Sequence, residues 1–292
     1  MTPVANGLSD VKAARSSIPW LSLAWFLGLL ILCYAPVLSR LVRQWETDED
    51  MGHGFFVPVL AGYILWKKRA ELMAGAGKPN HWGLVLVVYA ALQLCIATLG
   101  AELFLQRTAF VLAVIGSLLY LGGTAVLRAA AFPLFLLFFM VPIPAIIYNQ
   151  ITFPLQILAS RISEVVLMFV GIPVFREGNV LELPGQRLQV VEACSGIRSL
   201  LSLSFLSLVY GYFFEQRTWM RVTLFAANVQ VAIFANAARV TTTGVLTEFD
   251  PAMARGFFHL ASGWVIFMTA LMILVAVHQV LIRFHHYIYA KR

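Results

Sequence analysis

Charge is what this sequence most lacks. Only 12% of its 292 residues are Asp, Glu, Lys or Arg, against 60% apolar, and the mean hydropathy is +0.82; this is not the balance of a chain that folds in water. Cysteine is scarce as well. Cys33, Cys95 and Cys194 are too few and too scattered for a disulfide framework, and no pair has metal-ligand spacing, so no metal or cofactor is expected. Cys33 and Cys95 sit inside apolar runs and read as small core residues. Internal repeats, low-complexity tracts and polar stretches long enough for a soluble domain are also missing, and the segment after Arg283 is too short for one. There is no basic arm or patch. The net charge of +7 and the pI near 9.5 come from residues spread between apolar runs, which argues against a nucleic-acid partner and for positive-inside membrane topology.

What is present is a series of apolar stretches long enough to cross about 30 Å of hydrocarbon. Eight are expected, at about 20–38, 54–66, 82–99, 104–121, 125–147, 195–214, 219–245 and 257–282, the second being the shortest. The first has no small-residue cleavage site before Arg40 and Arg43 and reads as a retained helix. With both termini in the cytoplasm, the inner segments sum to +9 and the outer ones to −2, and all five lysines fall inside. Between the fifth and sixth runs lies the longest interruption, on the outer side. Its first half, 149–170, mixes apolar and polar residues as an amphipathic helix lying along the membrane would. Its second half, Val180-Leu-Glu-Leu, Pro184-Gly185, Gln186-Arg-Leu-Gln-Val-Val191, alternates with period two around a turn and reads as a hairpin. The expected fold class is all-α: one polytopic membrane bundle over 1–292 of about eight transmembrane helices, with a short amphipathic helix and a small β-hairpin on the periplasmic side.

This topology brings three chemically capable residues to one membrane face. Cys194 falls at the outer start of the sixth run, Arg239 near the outer end of the seventh and His259 at the outer start of the eighth. A cysteine where a loop becomes a helix is placed to be reactive, because unpaired N–H groups and the helix dipole favour the thiolate. Gly196 lets a substrate backbone approach, Arg198 lies one turn on over the same face, and the N–H groups of Ser195 and Gly196 suit a developing oxyanion. Taken singly each residue has a plainer reading: Cys194 as a small buried side chain, Arg239 as a snorkelling cation, His259 as a satisfied interfacial histidine. Together they are a nucleophile, a cation and a base, which is what acyl transfer from a peptide bond requires.

The stretch Val191-Glu-Ala-Cys-Ser-Gly-Ile-Arg-Ser-Leu200, followed by Asn236-Ala-Ala-Arg239, by Phe258-His259 and by Gly263-Trp264, resembles the exosortases, membrane transpeptidases of Gram-negative bacteria. The resemblance extends to Gly52-His-Gly54 through Pro58 and Trp66, to Val141-Pro-Ile-Pro144, and to Gly171-Ile-Pro-Val174 with Arg176 and Gly178-Asn179, and it covers about residues 45 to 270. It implies a catalytic triad of Cys194, Arg239 and His259 in the bacterial inner membrane, facing the periplasm. The same residue types serve the soluble sortases on an unrelated fold. The implied substrate is an exported protein with a tripartite C-terminal tail: a Pro-Glu-Pro-like motif, a hydrophobic span and a basic cluster. Some family members carry a further C-terminal domain linked to exopolysaccharide production, for which this chain is too short.

His53, on the outer side among Asp48, Glu49 and Asp50, is the rival base, with substrate positioning or helix entry as its plainer roles. Asn236 joins Ser195, Gly196 and Arg198 as a possible supporting residue, and Glu102 and Glu192 are further candidate partners. His278, His285 and His286 fall at the inner face. Two other function classes compete: a transporter or polysaccharide-export subunit, whose broken helices and repeats are not evident here, and a membrane acyltransferase led by His259.

Overall fold

In a bilayer each backbone N–H and C=O must be satisfied within its own segment, so apolar runs of this length become helices. The computed structural model describes residues 20–75, 79–184, 186–190, 196–249 and 257–289. Among these, seven helices are long and apolar enough to cross a membrane, and the only sheet has three short strands. The chain forms two compact units, Met1–Pro142 and Ile143–Arg292.

The first unit contains α1 (Trp20–Thr47), a 3-10 segment (Glu49–Phe55), α2 (Phe56–Lys67), α3 (Arg69–Ala74), α4 (His81–Leu99), α5 (Leu103–Ala129), α6 (Ala131–Leu136) and a second 3-10 segment (Leu137–Met140). α4 and α5 form an antiparallel hairpin whose starts are capped by side chains: Asn80 Oδ1 accepts from Trp82 N at 3.0 Å and Glu102 Oε2 from Leu105 N at 2.7 Å. α1 lies antiparallel to α5, with Phe26 against Tyr120 and Tyr34 against Phe110. α1 and α4 therefore run the same way, and the chain must cross back between them.

That return is the expected second run, and it is built differently from a standard span. α2 has only 12 residues, roughly 18 Å, and the 3-10 segment that carries His53 precedes it, largely outside the apolar run. α6 and the second 3-10 segment pack against α2 in the opposite sense. Lys68 Nζ donates to Ala129 O at 3.2 Å at one end, while His53 Nε2 bonds Phe139 O at 3.1 Å and Trp45 Nε1 donates to Met140 O at 3.0 Å at the other. The expected run 125–147 is thus not one helix. α5 ends at Ala129, the ten residues 131–140 follow, and Val141 to Pro144 are irregular because Pro142 and Pro144 cannot donate to a helix ladder.

The second unit contains α7 (Ala145–Phe169), β1 (Phe175–Glu177), β2 (Val180–Leu183), β3 (Gln186–Gln189), α8 (Ile197–Phe214), α9 (Thr218–Phe249) and α10 (Phe257–Tyr289). The expected hairpin is present as β2 and β3, in register Val180 with Gln189 and Leu183 with Gln186. A third strand, β1, was not anticipated; it pairs Glu177 with Val180 across Gly178-Asn179. α7 corrects the expectation of a helix lying along the membrane surface: it is 25 residues long and packs lengthwise against α9. Its buried stripe of Thr152, Gln156, Ala159, Ser160, Ser163 and Leu167 is small or polar enough for close helix contact. Ser163 Oγ donates to Ala237 O at 3.1 Å, and Leu167 fits against Gly244. Ala159, Leu167, Leu181, Leu183, Val190 and Val240 form one core that seats the sheet on α7 and α9.

α8 and α10 both run antiparallel to α9. Leu203, Ala232 and Ala270 form their shared core, and Asn228 Nδ2 donates to Ser204 Oγ at 2.8 Å. Far along the same helices, buried His278 meets Glu215 Oε2 at 3.2 Å and the Tyr210 hydroxyl at 2.9 Å. Glu215 also accepts from the N–H groups of Gln216 and Arg217, each at 2.8 Å, closing the turn from α8 into α9.

Candidate active site

Three stretches separated in sequence meet at one level of the second unit. α8 opens at Gly196, whose φ of 78° and ψ of −2° lie in the left-handed region, a conformation that favours glycine. A Cβ at Gly196 would stand 2.7 Å from Cβ and Cγ of Asn236, so the backbone leaving the cysteine segment rests directly on that side chain. Arg239 lies three residues on along α9 and is 8% exposed. Its guanidinium reaches α10, with Nη2 3.3 Å and Cζ 3.4 Å from the place a Cβ of residue 263 would take. Gly263 is one helical turn beyond His259, which the backbone places in the first turn of α10.

Gly196, Asn236, Arg239 and Gly263 thus form a continuous path across α8, α9 and α10. Cys194, Ser195 and Glu192 lie outside the described residues, as does the side chain of His259. Arg198 is half-buried in the first turn of α8. A narrow cleft adjoins this path, lined by Leu155 of α7, Gly196 and Leu200 of α8, and Ala232, Ile233 and Asn236 of α9. The lining is apolar except for the Asn236 amide, and the left-handed start of α8 turns the first backbone N–H groups of that helix toward its N-terminal end. The surroundings suit a thiolate or oxyanion more than a metal.

The approach to the site is held by polar contacts that sequence reasoning did not assign. Asn179 Nδ2 donates to both Gln156 Oε1 and Val190 O, each at 3.0 Å, and Val190 N donates back to Asn179 O at 2.9 Å. Val190 is four residues before Cys194. The sheet is tied to α7 twice more. Arg176 Nε donates to Glu164 Oε2 at 2.7 Å, and Ser160 Oγ donates to Gly178 O at 3.0 Å. The one sequence signal for this clamp was Gly178-Asn179 between two alternating segments, a turn signature.

The chain matches the transmembrane exosortase family over residues 45–276. It belongs to that family. Comparison with curated proteins and with solved structures finds no match. The matched region takes in Gly196, Asn236, Arg239 and Gly263 together with Cys194 and His259, so the exosortase core includes every segment of the path across α8, α9 and α10.

The remaining candidates belong to other elements. His53 belongs to the first unit, where Trp45 packs on Gly54 beside it and its Nε2 donates to Phe139 O. Burial pushes its pKa below the ordinary 6.5, against the raising effect of backbone bonds to Phe139 and Asp50 and of the Asp50 charge. Glu102 is the N-cap of α5. Burial works to raise the Glu215 carboxyl, but the N–H groups of Arg217 and Gln216, the bond to His278 and the Arg217 charge outweigh it and hold the pKa low. Glu215 and His278 therefore join helix ends; they are remote from Gly196 along α8.

Proposed function

We propose that this exosortase is a cysteine transpeptidase of the bacterial inner membrane that cleaves C-terminal sorting tails of exported proteins at its periplasmic face. Cys194 is the nucleophile, His259 the general acid and base, and Arg239 the cation that stabilises the thiolate and the oxyanion. The Cys194 sulfur adds to the scissile carbonyl carbon, and the oxygen takes the negative charge beside Arg239. The C–N bond then breaks, the leaving amine takes a proton through His259, and a thioester remains on Cys194. An incoming amine gives up its proton to His259, attacks the thioester and releases the thiolate; water in its place makes the reaction hydrolysis.

The observation that carries this reading is the contact of Gly196 with Asn236 and of the Arg239 guanidinium with Gly263. These bring the segment two residues after Cys194, the arginine and the helix turn after His259 to one level. A buried arginine within a long membrane helix is costly and persists where charge must be met, and its planar guanidinium offers paired donors to an oxyanion. Asn236 is read as the residue that fixes the start of α8, and so the direction of its first N–H groups. The test is to incubate membranes containing the protein with a candidate tail protein and to look for a hydroxylamine-sensitive adduct on Cys194. Tail cleavage by Cys194→Ala at the wild-type rate would reject the mechanism.

A further inference from the structure

α5 carries an arginine with no evident reason to be there. Arg107 lies one helical turn inside the start of α5 and is 5% exposed. It forms no hydrogen bond or ion pair among the described residues, and none of its nitrogens is sealed from the surroundings. A guanidinium whose stem is buried and whose nitrogens open outward without a protein partner is best stabilised by an anion from outside the chain. Its neighbours do not meet the need. Glu102 attracts it without forming an ion pair among the described residues, its Oε2 being turned to cap Leu105 N. Gln106 turns away, with Nε2 donating to Ala97 O at 3.1 Å.

The other charge acting on Arg107 is a second cation, Arg40 of α1. The antiparallel packing of the two helices, with Phe26 against Tyr120 and Tyr34 against Phe110, brings the end of α1 beside the start of α5. Arg40 is exposed and commits only its Nε, to Pro36 O at 3.1 Å. Two arginines repelling each other, one of them buried, are both relieved by a single anion between them. Arg107 lies roughly 6 Å from the start of α5 and Arg40 roughly 10 Å from the end of α1, so both stand near the same end of the packed helix pair. Leu99, Leu103 and Val42 are exposed and apolar nearby, as a surface for acyl chains would be.

We propose that Arg107 and Arg40 hold the phosphate of a membrane phospholipid. The guanidinium fork of Arg107 supplies paired N–H donors to two phosphate oxygens, and Arg40 closes the site from α1. The experiment is native mass spectrometry of the delipidated full chain titrated with phosphatidylglycerol, with diacylglycerol of the same acyl chains as the lipid lacking phosphate, and with inorganic phosphate as competitor. The wild type should retain phosphatidylglycerol and not diacylglycerol. Arg107→Gln should weaken retention roughly tenfold and Arg40→Gln severalfold, with Arg43→Gln unchanged. Arg40 is exposed, so Arg40→Gln leaves the fold intact and carries the test should Arg107→Gln fail to fold. Undiminished phosphatidylglycerol binding by Arg40→Gln, or by a folded Arg107→Gln, would overturn the site. Equal retention of diacylglycerol would do the same, and displacement by millimolar inorganic phosphate would overturn the assignment to lipid.

Discussion

The guanidinium of Arg239 rests on the backbone of Gly263, its Nη2 3.3 Å from where a Cβ would stand. A methyl group there is tight but can be met by a small shift of a flexible side chain, whereas a branched side chain must displace the guanidinium altogether. Gly263→Ala should therefore retain most tail-processing activity, and Gly263→Leu should lose it about as far as Arg239→Ala. Single-turnover cleavage of a tail peptide, with thermal unfolding in detergent as the control for folding, checks both.

Gly196 presents a stricter case, since both its backbone and its neighbour oppose a side chain. Gly196→Ala must place a Cβ 2.7 Å from Asn236 at a φ of 78°, at a cost of about 1–3 kcal/mol. Activity should fall further than stability. Trimming the neighbour in Gly196→Ala/Asn236→Ala should return some stability but not activity; recovery of both would mean that Asn236 has no part in the reaction.

Asn179 holds Val190, four residues before Cys194, through two hydrogen bonds and ties it to Gln156 of α7 through a third. Asn179→Ala leaves the Val190 carbonyl and Gln156 without their shared donor, costing about 1–3 kcal/mol. The expected signature is local: faster amide exchange at Val190 and an altered rate of Cys194 alkylation, with the rest of the second unit unchanged. Asn179→Asp, which keeps the shape and loses the donor, should behave the same way.

The triad assignment makes its own demands. Arg239→Lys should be poorly tolerated, because a compact ammonium cannot supply paired donors. His259→Ala should cost on the order of 100- to 10,000-fold in turnover, and His53→Ala much less. Nearly normal turnover by His259→Ala would hand the role of base to another residue.

His53 gives a pH prediction with a definite sign. Its pKa in the folded protein lies below the ordinary 6.5, so between the two values the unfolded chain binds more protons and stability rises with pH. The contribution is complete above about 6.5 and is lost as pH falls through the lowered value. His53→Gln, whose amide can still donate to Phe139 O, should flatten this part of the melting-temperature profile. An unchanged slope in the variant would assign the dependence to other groups.

Span order and sidedness were enough to expect the start of α8, the middle of α9 and the start of α10 at one level, and the contacts among Gly196, Asn236, Arg239 and Gly263 follow that register. The β2–β3 hairpin was legible from alternation around Pro184-Gly185. The α7 helix was legible at 149–170 but its burial was not, because its Thr, Gln and Ser stripe reads as a wet face, whereas Ser163 bonds Ala237 O of α9 and Gln156 and Ser160 bond Asn179 and Gly178 O. The broken passage from Ala131 to Pro144 was hidden for another reason. It lies within one expected run, 125–147, and hydropathy does not register where prolines change the backbone. The Asn179 clamp depends on partners 23 and 11 residues away, and no local pattern encodes such pairs.

The shortness of one passage in the first unit has a consequence for the surrounding lipid. Between Lys68 bonded to Ala129 O and His53 bonded to Phe139 O, residues 131–140 rise roughly 17 Å, well short of a hydrocarbon layer of about 30 Å. A bilayer meeting this wall must pinch inward or admit water along it, and the elastic penalty of such hydrophobic mismatch grows with acyl-chain length. Reconstitution into short-chain phosphatidylcholines should accordingly raise the melting temperature relative to long-chain ones, making membrane thickness itself a determinant of how firmly this half of the protein is held.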